Sequence, residues 1–151
     1  MQVVGRANAK GSYRVTKVLI VDDHFSFSEM LELVLRPALA DKTGTPGGSP
    51  RFLYAASVAE GLRLVSEEGP FDLAVVDLIL PDGDGTEVVK EIKSQSPNTA
   101  VVVLSASEEL LPGALAAGAD EAMAKRTRLA KIVASVVHLT ASMDRSDSPD
   151  A

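Results

Sequence analysis

Short apolar runs alternate along the chain with segments in which apolar residues recur every three or four positions. The runs are rich in β-branched residues and show no polar alternation. They lie at Val18–Val21, Phe52–Ala55, Leu73–Val76, Ala100–Leu104 and, more weakly, Ala122–Ala124. Such runs predict strands of a parallel sheet whose two faces are both covered by helices.

The intervening segments have helical spacing. Apolar residues occur at i, i+3, i+4, i+7 and i+8 from Phe27 and again from Leu129. Three helix starts combine a capping residue with Glu three positions later, at Ser26/Glu29, Ser57/Glu60 and Asp84/Glu87. Helix ends are expected at Pro37, Gly69-Pro70, Pro97 and Gly118. Five strands alternating with five helices predict an α/β sandwich built on a parallel sheet.

Domain boundaries follow from where this pattern stops. Residues 1–16 and 141–151 lack periodicity and are expected to be flexible tails around one domain at 17–140. A Gly- and Pro-rich connection at 41–50 exceeds the usual loop length and is expected to be a mobile surface insertion. Pro112-Gly113 interrupts the fourth helical pattern, so that helix should be short, kinked or frayed.

Composition narrows the function classes. The 151 residues carry a net charge of −6, which argues against DNA binding by this chain alone. The absence of cysteine excludes disulfides, zinc ribbons and thiol nucleophiles. No apolar run is long enough for a membrane helix or shaped like a signal peptide, so no membrane association and a cytoplasmic location are expected.

Polar residues follow four of the predicted strands directly. Asp22 and Asp23 come after the first, Asp77 after the third, Ser105 after the fourth and Lys125 after the fifth. Ligands of open α/β sheets bind beyond the carboxyl ends of strands, at the point where strand order reverses. In a sheet of order 2-1-3-4-5, that point lies between the two acidic groups. The sequence therefore predicts one site containing all five side chains.

Three carboxylates in one site repel one another, and a divalent cation removes the conflict. Mg²⁺ prefers carboxylates, water and phosphate oxygens as ligands. The Lys125 ammonium can pair with a carboxylate or a phosphate, and the Ser105 hydroxyl can donate to an added oxygen. This combination suits phosphoryl transfer onto a carboxylate, with Asp77 as the nucleophile.

Four segments carry a resemblance to response-regulator receiver domains, and the match extends over residues 17–140. The opening Asp-Asp-His form resembles the subfamily that usually carries a helix-turn-helix output domain. The segments are Val18–His24, Asp77–Gly85, Val103–Ala106 and Gly118–Lys125. The resemblance implies a flavodoxin-like (βα)5 doubly wound fold with a five-stranded parallel sheet of order 2-1-3-4-5.

The resemblance also implies a mechanism. Asp77 would accept a phosphoryl group from a sensor histidine kinase or phosphotransfer protein, with Mg²⁺ as cofactor. Asp23 would bind the metal directly, Asp22 mostly through water, and Ile79 through its backbone carbonyl, with Asp77 completing the set. Ser105 and Lys125 would assist the transfer. The protein would be a signalling switch rather than an enzyme, and the resemblance leaves a homodimer open.

One position departs from the family pattern. An aromatic residue usually lies three residues before the lysine, and Ala122 occupies that position. Ala122 has almost no side chain to rearrange when Ser105 moves. The response to phosphorylation is therefore expected in the segment Ser107–Ala117, as a change in order or tilt.

Two other function classes remain open at this point. A pseudo-receiver would bind partners without being phosphorylated, although such proteins usually lack one of the site residues. The stretch Asp82–Thr86 also spells the nucleophile motif of haloacid-dehalogenase-like phosphatases, with Asp82 as nucleophile. Pro81 and the long preceding segment disfavour that interpretation. An EF-hand loop is excluded because Leu80 would take its first ligand position.

Overall fold

The computed structural model describes residues 6–7, 13–15, 17–40 and 48–146, with the last four of these given as backbone only. A five-stranded parallel sheet lies at its centre, and neighbouring strands are in the order β2-β1-β3-β4-β5. The strands are β1 Lys17–Val21, β2 Arg51–Ala55, β3 Leu73–Asp77, β4 Ala100–Ser105 and β5 Glu121–Ala124. The predicted fold class and sheet order are confirmed.

Five helices cover the two faces of this sheet. They are α1 Phe25–Leu39, α2 Val58–Glu68, α3 Thr86–Gln95, α4 Leu111–Ala116 and α5 Leu129–Ser146. A 3₁₀ turn at Glu108–Leu110 precedes α4. The fourth helix is thus short, as predicted. Pro112 lies in its first turn, where the missing backbone donor costs least.

Side chains alternate between two hydrophobic cores, because successive residues of a strand point to opposite faces. One core joins the sheet to α2, α3 and α4 through Leu19, Val21, Val76 and Val103, among others. The other joins it to α1 and α5 through Ile20, Leu31, Leu104 and Ile132, among others. Burial on both faces explains why the strands have continuous apolar runs.

Two of the three predicted helix starts are wrong. Ser57 caps α2 as expected, since its Oγ accepts a hydrogen bond from the Glu60 amide at 3.1 Å. The α1 helix begins at Phe25 rather than after Ser26. The α3 helix has Gly85 at its N-cap, and the Asp84 carboxylate reaches only the Thr86 amide, at 2.9 Å. Both differences are one or two residues, the usual scatter at helix ends.

The predicted end of α1 at Pro37 is also wrong. The helix contains Pro37 and continues to Leu39, which is buried in the core beneath α1. Loss of one backbone hydrogen bond is offset there by burial of another leucine. The predicted ends at Gly69 and Pro97 are confirmed by helices that stop at Glu68 and Gln95.

The expected flanking segments are described only in part. Residues 1–5, 8–12, 16, 41–47 and 147–151 lie outside the described residues. Arg6–Ala7 pairs with Tyr13–Arg14 as a small antiparallel sheet, and α5 extends past the predicted boundary at residue 140. No helix in the described ranges is both long and apolar enough to cross a bilayer.

Candidate functional site at the carboxyl edge of the sheet

Strand register brings the predicted side chains to one edge. Val21 lies beside Ala55 and Val76, Asp77 beside Leu104, and Ser105 beside Ala124. The residues that end or follow these strands therefore emerge at the same level. They are Asp22, Asp77, Ser105 and Lys125, four of the five residues that the sequence places in one site.

Lys125 lies at the centre of this edge. Its Nζ is 2.7 Å from Asp22 Oδ2 and 3.3 Å from Asp77 Oδ2. Its side chain is only 14% exposed, and the two carboxylates are 4% exposed. The Phe27 ring lies against the ammonium, with Nζ 4.6 Å from the ring centroid. Lys125 is therefore a partly desolvated ion-pair partner rather than a solvated surface charge.

The contacts of Asp77 do not fully offset the cost of burying its ionised carboxylate. Burial raises the pKa of Asp77 above its ordinary value, although the Ile79 amide and the Lys125 ammonium lower it, and the Asp22 charge raises it further. The Ile79 amide donates to Asp77 Oδ1 at 3.2 Å. Net destabilisation of the ionised form means that added positive charge would be favourable at this carboxylate.

Ser105 is completely buried and already has a hydrogen-bond partner. Its Oγ accepts from the Ser107 amide at 3.1 Å, and its carbonyl accepts from the Lys125 amide at 2.8 Å. Ala122 is half-buried and packs against the core on the α2 and α4 side. In this structure the Ser105 hydroxyl stabilises the turn that leads towards α4.

Gly85 determines how closely the loop after β3 approaches the site. Its amide donates to the Leu78 carbonyl at 2.9 Å, and a Cβ at this position would lie 2.1 Å from the Asp77 carbonyl oxygen. Any side chain at this position would therefore force the backbone to shift. The close approach fixes the backbone directly beneath the Asp77 side chain.

The Asp82 carboxylate binds the start of α2 rather than the acidic site. Its two carboxylate oxygens accept from the Val58 amide at 2.7 Å and the Ala59 amide at 3.0 Å, at the start of α2. These hydrogen bonds lower the pKa of Asp82. The phosphatase alternative needs this carboxylate as a nucleophile, but it is occupied as a cap supplied by another loop.

The donor atoms at this edge fit a divalent cation. One ligand atom each from Asp22, Asp23, His24 and Asp77 lies within 4.8 Å of the others. Three carboxylates and one imidazole are common ligands of divalent metals. Asp23 is the most exposed of the three carboxylates, and its Oδ1 lies 3.4 Å from His24 Nδ1.

Comparison with known proteins identifies the family. The family model described as the response regulator receiver domain matches residues 18–137. The chain belongs to the response regulator receiver domain family. It is 34% identical over 128 residues to the response regulator protein PilR of Pseudomonas aeruginosa, covering 82% of this chain and 26% of PilR. It is also 34% identical to the DNA-binding transcriptional activator DevR/DosR of Mycobacterium tuberculosis, covering 70% of this chain and 46% of that protein.

Solved receiver structures have the same fold. The CheY-like receiver domain protein from Methanospirillum hungatei is 25% identical, with a TM-score of 0.72 over 87% of this chain and 98% of the other. TrrA from Thermotoga maritima, solved in complex with Mg²⁺-BeF, is 24% identical, with a TM-score of 0.66 over 82% and 98% of the two chains. This chain spans less than half the length of PilR or DevR/DosR.

Sequence reasoning missed several residues of the receiver site. The motif that contains His24 gives this residue no role, and the helical spacing places Phe27 on the core face of α1. Gly85 was given no function, although the close approach beneath Asp77 depends on it. A histidine beside two aspartates was an available signal for His24. No signal in the sequence indicates the contact between Phe27 and Lys125, because it depends on the tertiary structure.

Proposed function

We propose that Asp77 of this receiver domain accepts a phosphoryl group in a reaction that requires Mg²⁺, and that the modification switches the domain between two conformations. One observation carries the proposal. Asp77 is a buried carboxylate held between the Lys125 ammonium and the Ile79 amide, beside further donors suited to a divalent cation. The donor of the phosphoryl group would be a sensor histidine kinase or a phosphotransfer protein.

The chemistry follows from the groups around Asp77. One Asp77 carboxylate oxygen attacks phosphorus, the new O–P bond forms, and the bond to the donor breaks with its electron pair leaving on the donor. Bound Mg²⁺ would supply positive charge to the phosphoryl oxygens, held by Asp22, Asp23, Asp77 and the Ile79 carbonyl. Lys125 already contacts an Asp77 oxygen at 3.3 Å and is suited to hold an oxygen of the added group.

Ser105 supplies the conformational part of the proposal. Its buried hydroxyl would donate a hydrogen bond to the phosphoryl group, and because its Oγ also accepts from the Ser107 amide, a movement of Ser105 would be passed to the turn that follows. The loop from Ser105 to α4 would then rearrange. Because Ala122 offers no large side chain to rearrange, we expect the change to be concentrated in Ser107–Ala117.

The output of the switch lies outside the domain. DevR/DosR is a DNA-binding transcriptional activator, and this chain covers 46% of its length. We therefore place this receiver in the control of transcription, through an output region or a separate partner. Its own net charge of −6 supports regulation of a DNA-binding component rather than direct DNA binding.

A matched pair of variants tests the dependence on the acidic cluster. The full chain is incubated with a small-molecule phosphodonor in Mg²⁺ or in EDTA, and intact mass is followed over time. Wild type should gain one phosphoryl group in Mg²⁺ alone. Asp23→Asn should slow the reaction at least about a hundredfold, because it weakens charge neutralisation worth several kcal/mol. Asp84→Asn is the control, since Asp84 is exposed and outside the cluster.

Equal rates for wild type and Asp23→Asn would contradict the proposal. No modification of wild type, with Mg²⁺ binding intact, would favour the pseudo-receiver instead. In that case the Asp22–Lys125 and Asp77–Lys125 contacts would be permanent structural ion pairs.

A further inference from the structure

The His24 ring lies at the acidic cluster and contacts the cluster rather than the backbone of α1. It occupies the N-cap position of α1, but its side chain makes no capping hydrogen bond. Its backbone amide already donates to Asp22 Oδ1 at 2.8 Å. The side chain is 64% exposed, so burial does not explain its orientation. Neither helix capping nor burial therefore accounts for the position of the ring.

The Nδ1 atom of His24 faces the same space as the carboxylates. It lies 3.1 Å from Asp22 Oδ1, 3.4 Å from Asp23 Oδ1 and 3.1 Å from Lys125 Nζ. The role of Nδ1 depends on the tautomer, because a carboxylate oxygen needs a proton on this nitrogen whereas the ammonium needs a lone pair there. In the tautomer that carries its proton on Nε2, Nδ1 presents a lone pair within 4.8 Å of one ligand oxygen each of Asp22, Asp23 and Asp77.

We infer that His24 Nδ1 is a direct ligand in the cation site of this receiver, which makes it a mixed oxygen and nitrogen site selective for borderline transition-metal ions. The inference rests on the proposed function only in its use of the same cation site. Imidazole favours ions such as Zn²⁺, Co²⁺ and Ni²⁺, whereas Mg²⁺ takes oxygen ligands. The site would bind Mg²⁺ through its carboxylates and gain affinity from His24 only for the transition ions.

The two histidines of the chain permit a direct test on the wild-type protein. Full-length chain labelled with ¹⁵N-histidine gives signals from His24 and His138 alone. Zn²⁺ or Mg²⁺ is titrated at one fixed pH while the imidazole nitrogens are observed. Zn²⁺ should shift the His24 Nδ1 signal in a saturable way, and Mg²⁺ should leave it nearly unchanged. His138 is exposed on α5, so His138→Ala assigns the signals without disturbing the site.

Calorimetry on matched variants gives an independent readout. His24→Ala should weaken Zn²⁺ binding by about tenfold or more. Loss of a group that only supports a metal ligand already lowers metal affinity by about 10- to 100-fold. Mg²⁺ affinity should change less than about twofold, since Mg²⁺ gains little from nitrogen. His138→Ala should bind both ions as wild type does.

The outcomes separate the two proposals. Zn²⁺ binding that requires Asp23 but leaves the His24 nitrogen unshifted would overturn the inference and keep the cation site. Shifts of His24 that persist in Asp23→Asn would overturn it as well, because the metal would then bind elsewhere. If wild type binds neither ion, or if Asp23→Asn binds both ions as wild type does, the proposed function itself would be contradicted.

Discussion

Two loops border the acidic site, and they are anchored very differently. The loop from β3 to α3 has Gly85 against the Asp77 carbonyl and is tied to α2 by the carboxylate of Asp82. Within it, Ile79–Leu80 pairs with Gly83–Asp84 as a small antiparallel sheet. The loop from β4 to α4 contains a 3₁₀ turn, Glu108–Leu110, with no buried residue.

The helices that follow these loops differ in the same direction. The α3 helix has ten residues and buries Val88, Val89 and Ile92. The α4 helix has six residues and buries only Ala114. Because each large aliphatic side chain contributes about 1.5–3 kcal/mol on burial, α3 is held several kcal/mol more strongly than α4. The side that carries Asp77 is therefore the more firmly held, and we expect the conformational response on the α4 side.

The largest effect is expected from breaking the fixed side at Gly85. In Gly85→Ala the new Cβ would meet the Asp77 carbonyl oxygen at 2.1 Å and Leu78 Cα at 3.0 Å, so backbone must shift. We expect a loss of about 3 kcal/mol or more in the free energy of unfolding, from chemical denaturation. A loss below about 0.5 kcal/mol would show that the loop yields easily and would contradict the comparison.

Hydrogen exchange tests how firmly α4 and the turn before it are held. The amides of α4, which Pro112 does not contribute to, should exchange about a hundredfold faster than those buried in α3, matching about 3 kcal/mol of missing burial. Addition of a beryllofluoride phosphoryl mimic with Mg²⁺ should change protection chiefly in Ser107–Ala117. Equal protection of this segment in both states, with changes confined to other surfaces, would show that α4 is not the responding element.

The raised pKa of Asp77 predicts that Asp77→Asn stabilises the fold, whereas Gly85→Ala destabilises it. Because the folded pKa lies above the unfolded value, the folded state binds more protons in that interval and loses stability as pH rises. Asp77→Asn removes this penalty, so its melting temperature at neutral pH should exceed that of wild type by a few degrees.

The pH dependence of that difference provides the check. The gap between Asp77→Asn and wild type should close as pH falls below the ordinary aspartate pKa of about 3.9, where residue 77 is protonated in both states of wild type. Asp84→Asn should show no comparable gain at neutral pH. A variant less stable than wild type at neutral pH would mean that the contact with Lys125 outweighs burial.

The smallest effect is expected at Gly113, the glycine of α4 that serves as the counterpart of Gly85. A Cβ added there would meet no atom within 4 Å, and the residue lies inside α4. Gly113→Ala should therefore raise the unfolding free energy by about 0.5–1 kcal/mol, the usual cost of glycine within a helix. Destabilisation at this position would indicate that α4 is packed more tightly than its burial implies.

Strand positions and the main site residues could be predicted because both follow from local rules. Burial on both faces makes β3 and β4 continuous apolar runs, and parallel strands deliver Asp77 and Ser105 to one edge. The contact between Lys125 and His24 joins residues 101 positions apart, and no local pattern encodes it. The sequence likewise predicts the α3 cap one residue early, at Asp84 rather than at Gly85, whose close approach to Asp77 no local pattern encodes.

Location of the phosphoryl group tests the central claim most directly. After reaction with a small phosphodonor and Mg²⁺, borohydride reduction converts an aspartyl phosphate to homoserine, and peptide mass spectrometry identifies the position. We expect homoserine at residue 77 alone, and no modification in Asp77→Asn. Homoserine at Asp82, or stable modification of Asp77→Asn at another residue, would contradict the assignment of Asp77 as the acceptor.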